Sequence, residues 1–520
     1  MGMAFAYFST AQLVPFIIGG VCLICSIGLF LGSSRKLSLI FLFSGAISLG
    51  FFISNLDPFL NLWDEQFHAL VARNMVETPL MPRLYPVPIL EYTHTDWTQN
   101  YIWLHKQPLF LWQIALSIKL FGASELAVRL PGILMFALAA LFVYRIGKIA
   151  YSDRVGFFGA VFFISVNYLL ELLTGKHSTD HNDVAFLFYV TASFWAWFEY
   201  QAKKSVYWIV LIGIFSGCAI LVKWLVGLLI YAVWFLTIGA NNRKDFFRIK
   251  NYYPMLIAFG VTMLITLPWQ LFILNAYPVE ATYEFKLNST HFFHAVEGHG
   301  GDFWYHFRVL KKIYGSGDLI PFLLLAGLII FLIGTRHRKY RIAIGAAVVI
   351  VYGFFSIAAT KMDSFCIIVL PFVMLGMAAF VDKIFLWIAG KNRFHWLNNL
   401  FQFIIIGGLS YSFINLSKVA GYHVDKGNAV NELRSQNLKL MQFIDQLPRE
   451  VKEQPYVVFI PNHRLKSSVP VMFYTHVIAY DFIPTQEQLE KVWKQSYAVA
   501  IEDNGNLPDY IREDARILKL

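Results

Sequence analysis

Two adjacent acids, Asp64 and Glu65, directly follow a run of apolar residues that is long enough to span a bilayer. A carboxylate at a membrane surface can take the proton from a hydroxyl or amine group as that group attacks a carbon atom. The same pair could instead cap the first turn of a helix, because the helix dipole favours negative charge there. The residue types alone leave a catalytic and a structural interpretation open.

Several cations could hold a phosphate group. Lys106 ends the loop that begins with the acid pair, and its ammonium could bind a phosphate at the membrane surface. It could equally anchor a helix end by extending its charged tip to that surface. Lys223, Lys361 and Arg308 stand on the same side of the predicted membrane and are further candidates.

Histidines and acids are concentrated in the segment 175–183, which contains two of each. Such side chains could bind zinc or manganese. Alternatively, Asp180 or Asp183 could position an acceptor molecule, or Asp183 could cap the next helix as part of a polar turn. The sequence leaves a divalent metal open, and its candidate ligands are His105, His177, His181 and His299.

The composition is that of an integral membrane protein. Hydrophobic residues make up 57% of the 520 residues and charged residues only 15%, against about 45–50% and about 25% in soluble domains. The apolar residues lie in runs of roughly 17–25, the length that spans a bilayer. The formal net charge is +10, but the basic residues lie in short loops between apolar runs, as cytoplasmic loops do. We therefore expect contact with membrane lipids and no nucleic-acid partner.

The apolar runs predict a mainly α-helical fold with about twelve membrane spans. The connecting loops alternate between a basic set and an acid- and histidine-bearing set. Because positively charged loops stay in the cytoplasm, we expect the second set and both chain termini on the extracytoplasmic face. The acid- and histidine-bearing loops are 57–107, 174–183, 274–318 and 361–364. The predicted spans lie near 9–32, 37–56, 127–149, 155–173, 184–200, 206–222, 225–240, 254–273, 319–335, 342–360, 365–385 and 397–416.

The last hundred residues or so are polar and predict a small α/β domain on the extracytoplasmic side. An amphipathic helix is expected over 428–447, and a capping box of Thr485 and Gln488 opens a helix over 486–494. The predicted strands are 457–460, 469–474 and 498–501. We expect a transmembrane domain over 1–416, with outer loops 57–126, 174–183 and 274–318, and an α/β domain over 417–520.

A set of motifs resembles the GT-C membrane glycosyltransferases of the protein O-mannosyltransferase and lipid A aminoarabinose-transferase type (glycosyltransferase family 39-like). The resemblance covers roughly 60–380 and is specific as a set, since no single motif would be decisive. The motifs are the Asp64–Glu65 pair, Lys106–Trp112, Leu120–Pro131, Gly217–Trp224 and Ser356–Phe365.

The resemblance implies a polyprenyl-phosphate sugar as donor and a lipid, glycan or protein as acceptor, at the outer face of a bacterial inner membrane. It implies that Asp64 is the general base of an inverting hexosyl or pentosyl transfer, with Glu65 as a supporting acid. Asp180 or Asp183 would help to hold the acceptor. Fixed cations stabilise developing negative charge, and those that would stabilise the departing phosphate are Lys106, Lys223, Lys361 and Arg308.

Several residues depart from the aminoarabinose transferases and indicate a separate branch. Phe67 and His68 follow the acid pair where that type has Arg and Tyr. His105 replaces a Glu before the lysine, and Phe365 replaces a Tyr. The insert 91–99 is also longer than that type leads us to expect.

Three other classes remain as alternatives: a transporter or flippase of lipid-linked sugars, an oligosaccharide ligase or polymerase that uses a diphosphate-linked donor, and a non-catalytic envelope-assembly protein. A transporter carries charged residues near the middle of its spans, often on broken helices. The predicted spans are nearly free of central charges, and the polar residues collect on one face. This asymmetry favours chemistry on one side of the membrane.

Overall fold

The chain forms, in a computed structural model, a bundle of apolar helices followed by a small α/β domain. The structure describes residues 8–177, 181–240, 242–315, 317–389, 395–424, 429–461, 466–503 and 505–520. The helices of the bundle are α1 (Thr10–Leu31), α2 (Arg35–Ser54), α3 (Asp64–Met75), α4 (Pro108–Phe121), α5 (Glu125–Ala150), α6 (Asp153–Ser165), α7 (Asn167–Leu172), α8 (Asp183–Lys203), α9 (Val206–Lys223), α10 (Leu229–Ile238), α11 (Tyr253–Ala276), α12 (Pro278–Phe293), α13 (Tyr305–Tyr314), α14 (Ile320–Gly334), α15 (Arg338–Ile357), α16 (Leu370–Ala389) and α17 (His395–Ile414).

Within the described ranges, eight helical stretches are long and apolar enough to cross a membrane, and α4 and α14 are shorter apolar helices. Large apolar side chains such as Leu264 and Val349 are exposed on these helices. A contiguous apolar surface of this kind is stable in lipid and not in water, so the prediction of an integral membrane protein is confirmed.

The predicted number of twelve spans is not established. Each of the twelve predicted segments is helical, but the segment 155–173 is broken into the short helices α6 and α7. The predicted outer loop 57–126 contains two helices, α3 and α4. Helix length alone therefore does not tell which of these helices cross the whole membrane.

The chain reverses direction between α9 and α10. The turn Trp224–Leu228 folds back on α9, and the Ser216 hydroxyl donates to the Gly227 carbonyl at 2.7 Å. A Cβ atom on Gly227 would lie 2.7 Å from the backbone nitrogen of Ile220, so only glycine permits this approach. The reversal ends α9 at Lys223 and separates two of the predicted spans.

The two sets of loops meet at different ends of the bundle. Basic residues pair with acids at one end, where Arg35 lies 2.7 Å from Asp153 and Arg154 lies 2.9 Å from Asp382. The acid- and histidine-bearing loops contact each other and the C-terminal domain at the other end. The alternation in the sequence thus corresponds to a segregation in space.

The C-terminal domain contains a parallel sheet whose described strands are ordered β2-β1-β3-β4. The predicted helix over 486–494 is confirmed, with its capping box, and so is the strand 498–501. The amphipathic helix is confirmed over the described residues, while Asn428 lies outside them. The elements are α18 (Leu416–Val424), α19 (Ala429–Gln446), α20 (Arg449–Glu453), β1 (Tyr456–Phe459), α21 (Ser468–Tyr474), β2 (Ile478–Tyr480), α22 (Gln486–Lys494), β3 (Ala498–Ile501), α23 (Asp509–Arg512) and β4 (Ile517–Lys519).

One predicted strand is wrong. The segment 469–474 is part of helix α21, with Val469 to Phe473 buried. A short apolar run that is buried on all sides has no distinguishing period, and a buried helix and a buried strand look alike in sequence. The strands β2 and β4 were not predicted, because each has only three residues.

The C-terminal domain rests on α3, the helix that begins with the acid pair. Arg73 of α3 donates to the backbone carbonyls of Met472, Phe473 and Thr475 at 2.5–2.7 Å. These bonds supply donors to carbonyl groups at the C-terminal end of α21, which have no partner within the helix. Tyr474 accepts a hydrogen bond from the Leu60 amide at 3.0 Å. The domain thereby fixes both the helix and the loop before it.

Candidate active site

A cavity of about 960 Å³ lies where the acid- and histidine-bearing loops meet. Its wall is mainly apolar and includes the aromatic side chains of Trp63, Trp97 and Phe285. Phe292 and Phe293 of α12 also line it, and Phe293 is 73% exposed, so the cavity opens beside this residue. Among the described residues, the lysines and acids in the wall are Asp64, Lys106, Asp183, Lys223 and Glu297.

Helix ends bring the charged side chains to this cavity. Asp64 and Asp183 stand in the first turns of α3 and α8, where the helix dipole favours acids. Lys223 stands in the last turn of α9, where the dipole favours cations. Pro108 occupies the first position of α4, a place that suits proline, and this sets Lys106 immediately before a helix start.

Asp64 faces Lys106 across the cavity wall. The Asp64 Oδ2 and Lys106 Nζ atoms are 3.3 Å apart, and the acid side chain is 4% exposed while the lysine side chain is 21% exposed. Burial alone would lower the pKa of Lys106, but the carboxylates of Asp64, Glu297 and Asp183 together outweigh it, with Asp64 contributing most of the three, and the pKa is raised. Lys106 is therefore a fixed positive charge at the cavity.

Asp183 and Lys223 form a second ion pair in the same wall. The Lys223 ammonium contacts Oδ1 of Asp183, and the Ser364 hydroxyl donates to Oδ2. Asp183 is 3% exposed and Lys223 25% exposed. The structure thus brings Asp183 to the site, as predicted, and joins it to a lysine. Asp180, the alternative to Asp183, lies outside the described residues.

Glu65 points away from the cavity, although it is next to Asp64. Its carboxylate accepts hydrogen bonds from Nε and Nη2 of Arg129 at 2.7 and 3.1 Å, and neither side chain is exposed. The guanidinium also donates to the carbonyls of Ser54, Asp57 and Phe59. The acid pair is thereby divided into one residue that faces the cavity and one that holds the preceding loop.

Lys361 is not among the described residues that line the cavity, and its predicted role at a phosphate stays a prediction. Its ammonium donates to the carbonyls of Phe355, Ser356 and Ala358 at 2.6–2.7 Å. These groups belong to the last turn of α15, whose carbonyls have no partner within the helix. A cation in the same position can cap a helix or bind a phosphate, and here it caps the helix.

Arg308 is likewise separate from the cavity. It lies on the exposed side of α13 and pairs with Asp302 at 2.7 and 3.0 Å. Arg308 is not among the described residues that line the cavity, and its predicted role at the phosphate stays a prediction.

The candidate metal ligands are dispersed. His105 and His299 line the cavity, whereas His177 bonds to Glu171 at 3.0 Å and His181 bonds to His68. In the part of the chain that the structure describes, no group of three His, Cys, Asp or Glu side chains is placed to hold a metal ion.

His68 and His181 form a buried pair behind the acid. Their Nδ1 atoms are 3.0 Å apart, so one ring donates and the other accepts, and both rings are shielded from solvent. Burial, reinforced for His68 by Lys106 and for His181 by His68 itself, lowers the pKa of each ring well below its usual range. The pair is neutral in the folded protein.

Some residues at the site were not predicted from the sequence. Trp97 belongs to the unusually long insert, stacks on His105 at 4.5 Å and donates its indole N–H to Glu297 at 2.5 Å. The buried carboxylate of Glu284 lies 3.7 Å from His105. The length of the insert was a signal for Trp97, whereas nothing in the local sequence marks Glu284.

Comparisons with known proteins identify sequences and structures that are similar to this chain. Residues 105–272 match the family of dolichyl-phosphate-mannose-protein mannosyltransferases. The undecaprenyl phosphate-alpha-4-amino-4-deoxy-L-arabinose arabinosyl transferase 2 of Proteus mirabilis (strain HI4320) is 26% identical over 329 residues. The matched region is 60% of this chain and 53% of that protein, so the chain spans about half the length of this relative.

Two solved structures share the fold. ArnT from Cupriavidus metallidurans, bound to undecaprenyl phosphate, superimposes with a TM-score of 0.62 at 15% identity over 88% of each chain. The archaeal oligosaccharyltransferase AglB from Archaeoglobus fulgidus, in complex with an inhibitory peptide and a dolichol-phosphate, gives 0.53 at 13% identity over 86% of this chain and 64% of AglB. The predicted resemblance is therefore confirmed, and the chain has the fold of the GT-C membrane glycosyltransferases, with the mannosyltransferase family match over residues 105–272.

Proposed function

We propose that the protein transfers a sugar from a polyprenyl-phosphate donor to a hydroxyl or amine group of a lipid, glycan or protein acceptor. The observation that carries this proposal is the 3.3 Å approach of Asp64 to Lys106 in the wall of the aromatic cavity. A proton acceptor and a phosphate-binding cation are then within reach of one small ligand.

The nature of the donor follows from the cavity and from the relatives. Lys106 and Lys223 supply two ammonium groups, and the aromatic wall supplies an apolar surface for an isoprenoid chain. The proposal is supported by the arabinosyl transferase of Proteus mirabilis and by ArnT, whose descriptions name undecaprenyl phosphate.

The reaction is an inverting displacement at the anomeric carbon. The acceptor oxygen or nitrogen forms a bond to that carbon as the bond from the carbon to the phosphate oxygen breaks. Asp64 takes the acceptor proton, and the polyprenyl phosphate leaves with the electron pair of the broken bond. Lys106 and Lys223 stabilise the charge that develops on the leaving oxygen, while Asp183 orients Lys223 and contributes to the acceptor side.

The proposed site faces the outside of a bacterial inner membrane. The basic loops and the cavity lie at different ends of the bundle, with the ion pairs Arg35–Asp153 and Arg154–Asp382 at the basic end. Basic loops remain in the cytoplasm, so the cavity and the C-terminal domain are extracytoplasmic in this proposal.

The test uses full-length protein purified in detergent, with polyprenyl-phosphate pentoses and hexoses as donors and lipid, glycan and peptide acceptors. We expect the wild type to form a sugar–acceptor product detectable by mass spectrometry. Asp64→Asn should lower the rate about 10²–10⁴-fold, the contribution of a general base.

Glu77→Gln is the matched control, because Glu77 is an exposed acid of the same loop and does not line the cavity. It should transfer at the wild-type rate. A folded Asp64→Asn protein that transfers as fast as Glu77→Gln would exclude Asp64 as the base, and absence of transfer with every donor class would overturn the proposed function.

A further inference from the structure

Both lysines of the cavity already hold an internal counter-ion. Lys106 pairs with Asp64 and Lys223 pairs with Asp183, and the two acids are almost completely buried. Glu297 adds a third carboxylate, which accepts the Trp97 N–H. Among the described residues of the wall, the lysines are thus outnumbered by carboxylates, and the cavity has no surplus of fixed positive charge.

An anionic ligand must therefore compete with a carboxylate for its cation. A phosphate that approached Lys106 in the present arrangement would also approach Asp64, and like charges at short range repel strongly where solvent is excluded. The ligand can bind tightly only if the ammonium turns from the carboxylate to the phosphate. Such a turn is available to Lys106, whose side chain is flexible and partly exposed.

The two ion pairs differ in how firmly the acid is held. Both carboxylate oxygens of Asp183 have donors, since Lys223 contacts one and Ser364 the other. Oδ2 of Asp64 has the 3.3 Å contact with Lys106 and, in the described residues, no hydrogen bond of normal geometry. Lys106 is therefore the cation that exchanges more readily, and Lys223 is the one that stays with its acid.

We propose that the donor phosphate displaces Asp64 from Lys106, and that this exchange makes Asp64 available as the base. The inference rests on the proposed function. Before the exchange, Oδ2 of Asp64 contacts the Lys106 ammonium at 3.3 Å and faces that cation instead of an acceptor group. After it, the phosphate neutralises Lys106, and the free carboxylate can take the acceptor proton. The donor binds first, and its presence switches the base on.

The cycle closes without any further group. Transfer leaves a protonated Asp64 and a polyprenyl phosphate bound to Lys106. Departure of the lipid phosphate and loss of the proton to solvent restore the Asp64–Lys106 pair. An acceptor that reaches the cavity without a donor meets a base that is still paired, which limits unproductive proton transfer.

The experiment measures equilibrium binding of undecaprenyl phosphate, which carries no sugar and cannot react, to detergent-purified full-length protein. Asp64→Asn frees Lys106 from its counter-ion, so we expect the dissociation constant to fall about tenfold. Glu297→Gln is the matched control, because it removes the same charge from the same cavity and Oε1 of Glu297 accepts its hydrogen bond from Trp97, not from a lysine. Its effect should be less than about threefold.

A double-mutant cycle with Lys106→Ala identifies the lysine. Lys106→Ala should weaken binding at least about tenfold, and Asp64→Asn should no longer tighten binding in that background. Asp64→Ser leaves the same lysine unpaired and replaces Asp64→Asn if the amide variant does not fold. Equal affinities of wild type and the folded Asp64 variant, or equal effects of Asp64→Asn and Glu297→Gln, would overturn the exchange.

The outcome is separable from that of the transfer assay. Tightening in Asp64→Asn without transfer by the wild type would keep the exchange and remove the proposed function. Transfer by the wild type without tightening would keep the function and remove the exchange. Inorganic phosphate, tested in parallel, shows whether the phosphate alone suffices or the lipid chain is needed.

Discussion

We expect loss of the charge on Glu65 to lower the stability of the protein, and loss of the charge on Asp64 to lower the transfer rate. Glu65→Gln would leave the buried guanidinium of Arg129 without its carboxylate partner, which now accepts hydrogen bonds at 2.7 and 3.1 Å with no exposure of either side chain. Removing one partner of a buried ion pair costs about 3–5 kcal/mol. We therefore expect Glu65→Gln to lower the stability by that amount.

Arg129→Met tests the other partner. It would leave the Glu65 charge buried, and it would also remove the donor to the carbonyls of Ser54, Asp57 and Phe59. Each buried group without a partner costs about 1–3 kcal/mol, so this single change should be at least as destabilising as Glu65→Gln. The double variant should lose less stability than the sum of the two, because both changes break the same pair.

The assay is thermal unfolding of detergent-purified protein, followed by tryptophan fluorescence at one fixed scan rate, since irreversible unfolding makes Tm depend on that rate. Asp64→Asn is the control, with the same change of charge at the adjacent position. It should lose transfer but keep most of the wild-type Tm. A Glu65→Gln protein with the wild-type Tm and no transfer would refute the structural role of Glu65.

Two further outcomes are expected. Burial keeps His68 and His181 neutral in the folded protein, whereas both rings bind a proton below pH about 6.5 when the chain is unfolded. Because only the unfolded state gains these protons as the pH falls, the free energy of unfolding should drop below that pH by up to about 1.4 kcal/mol per pH unit for each ring. A Tm that is equally pH-dependent in His68→Gln would contradict this origin. Lys361→Met removes charged hydrogen bonds, so it should lower the free energy of unfolding by about 1.5–3 kcal/mol and lower Tm. Neither Lys361→Met nor Arg308→Ala should change the dissociation constant for undecaprenyl phosphate. A weaker affinity in either variant would place that residue at the phosphate.

The predicted site residues that line the cavity and carry a charge are those whose position follows from helix ends. Asp64, Asp183 and Lys223 stand where the helix dipole favours their charge, and Lys106 precedes a helix-starting proline. Such local rules can be applied without knowing the tertiary structure. Their convergence on one cavity also depends on which helices become neighbours, and local rules do not give that.

Pairing could not be predicted, because it depends on which helices become neighbours. Glu65 and Arg129 are 64 positions apart, and the sequence shows Arg129 only as a cation near the start of an apolar helix. Lys361 was expected at a phosphate because it is a cation on the acidic side, and the same position suits a helix cap. The choice between these roles is made by the direction of the side chain, which tertiary contacts determine.

The exposed aromatic edge of the cavity determines how a lipid-borne molecule can reach it. Phe293 lines the cavity and is 73% exposed, and in the proposed function the opening beside it faces the hydrocarbon layer. An isoprenoid chain can enter sideways and keep its methylene groups out of water, where each would cost about 0.8 kcal/mol. Donor supply is then governed by two-dimensional diffusion and by mole fraction in the membrane, and detergent alkyl chains act as competitors for the same opening.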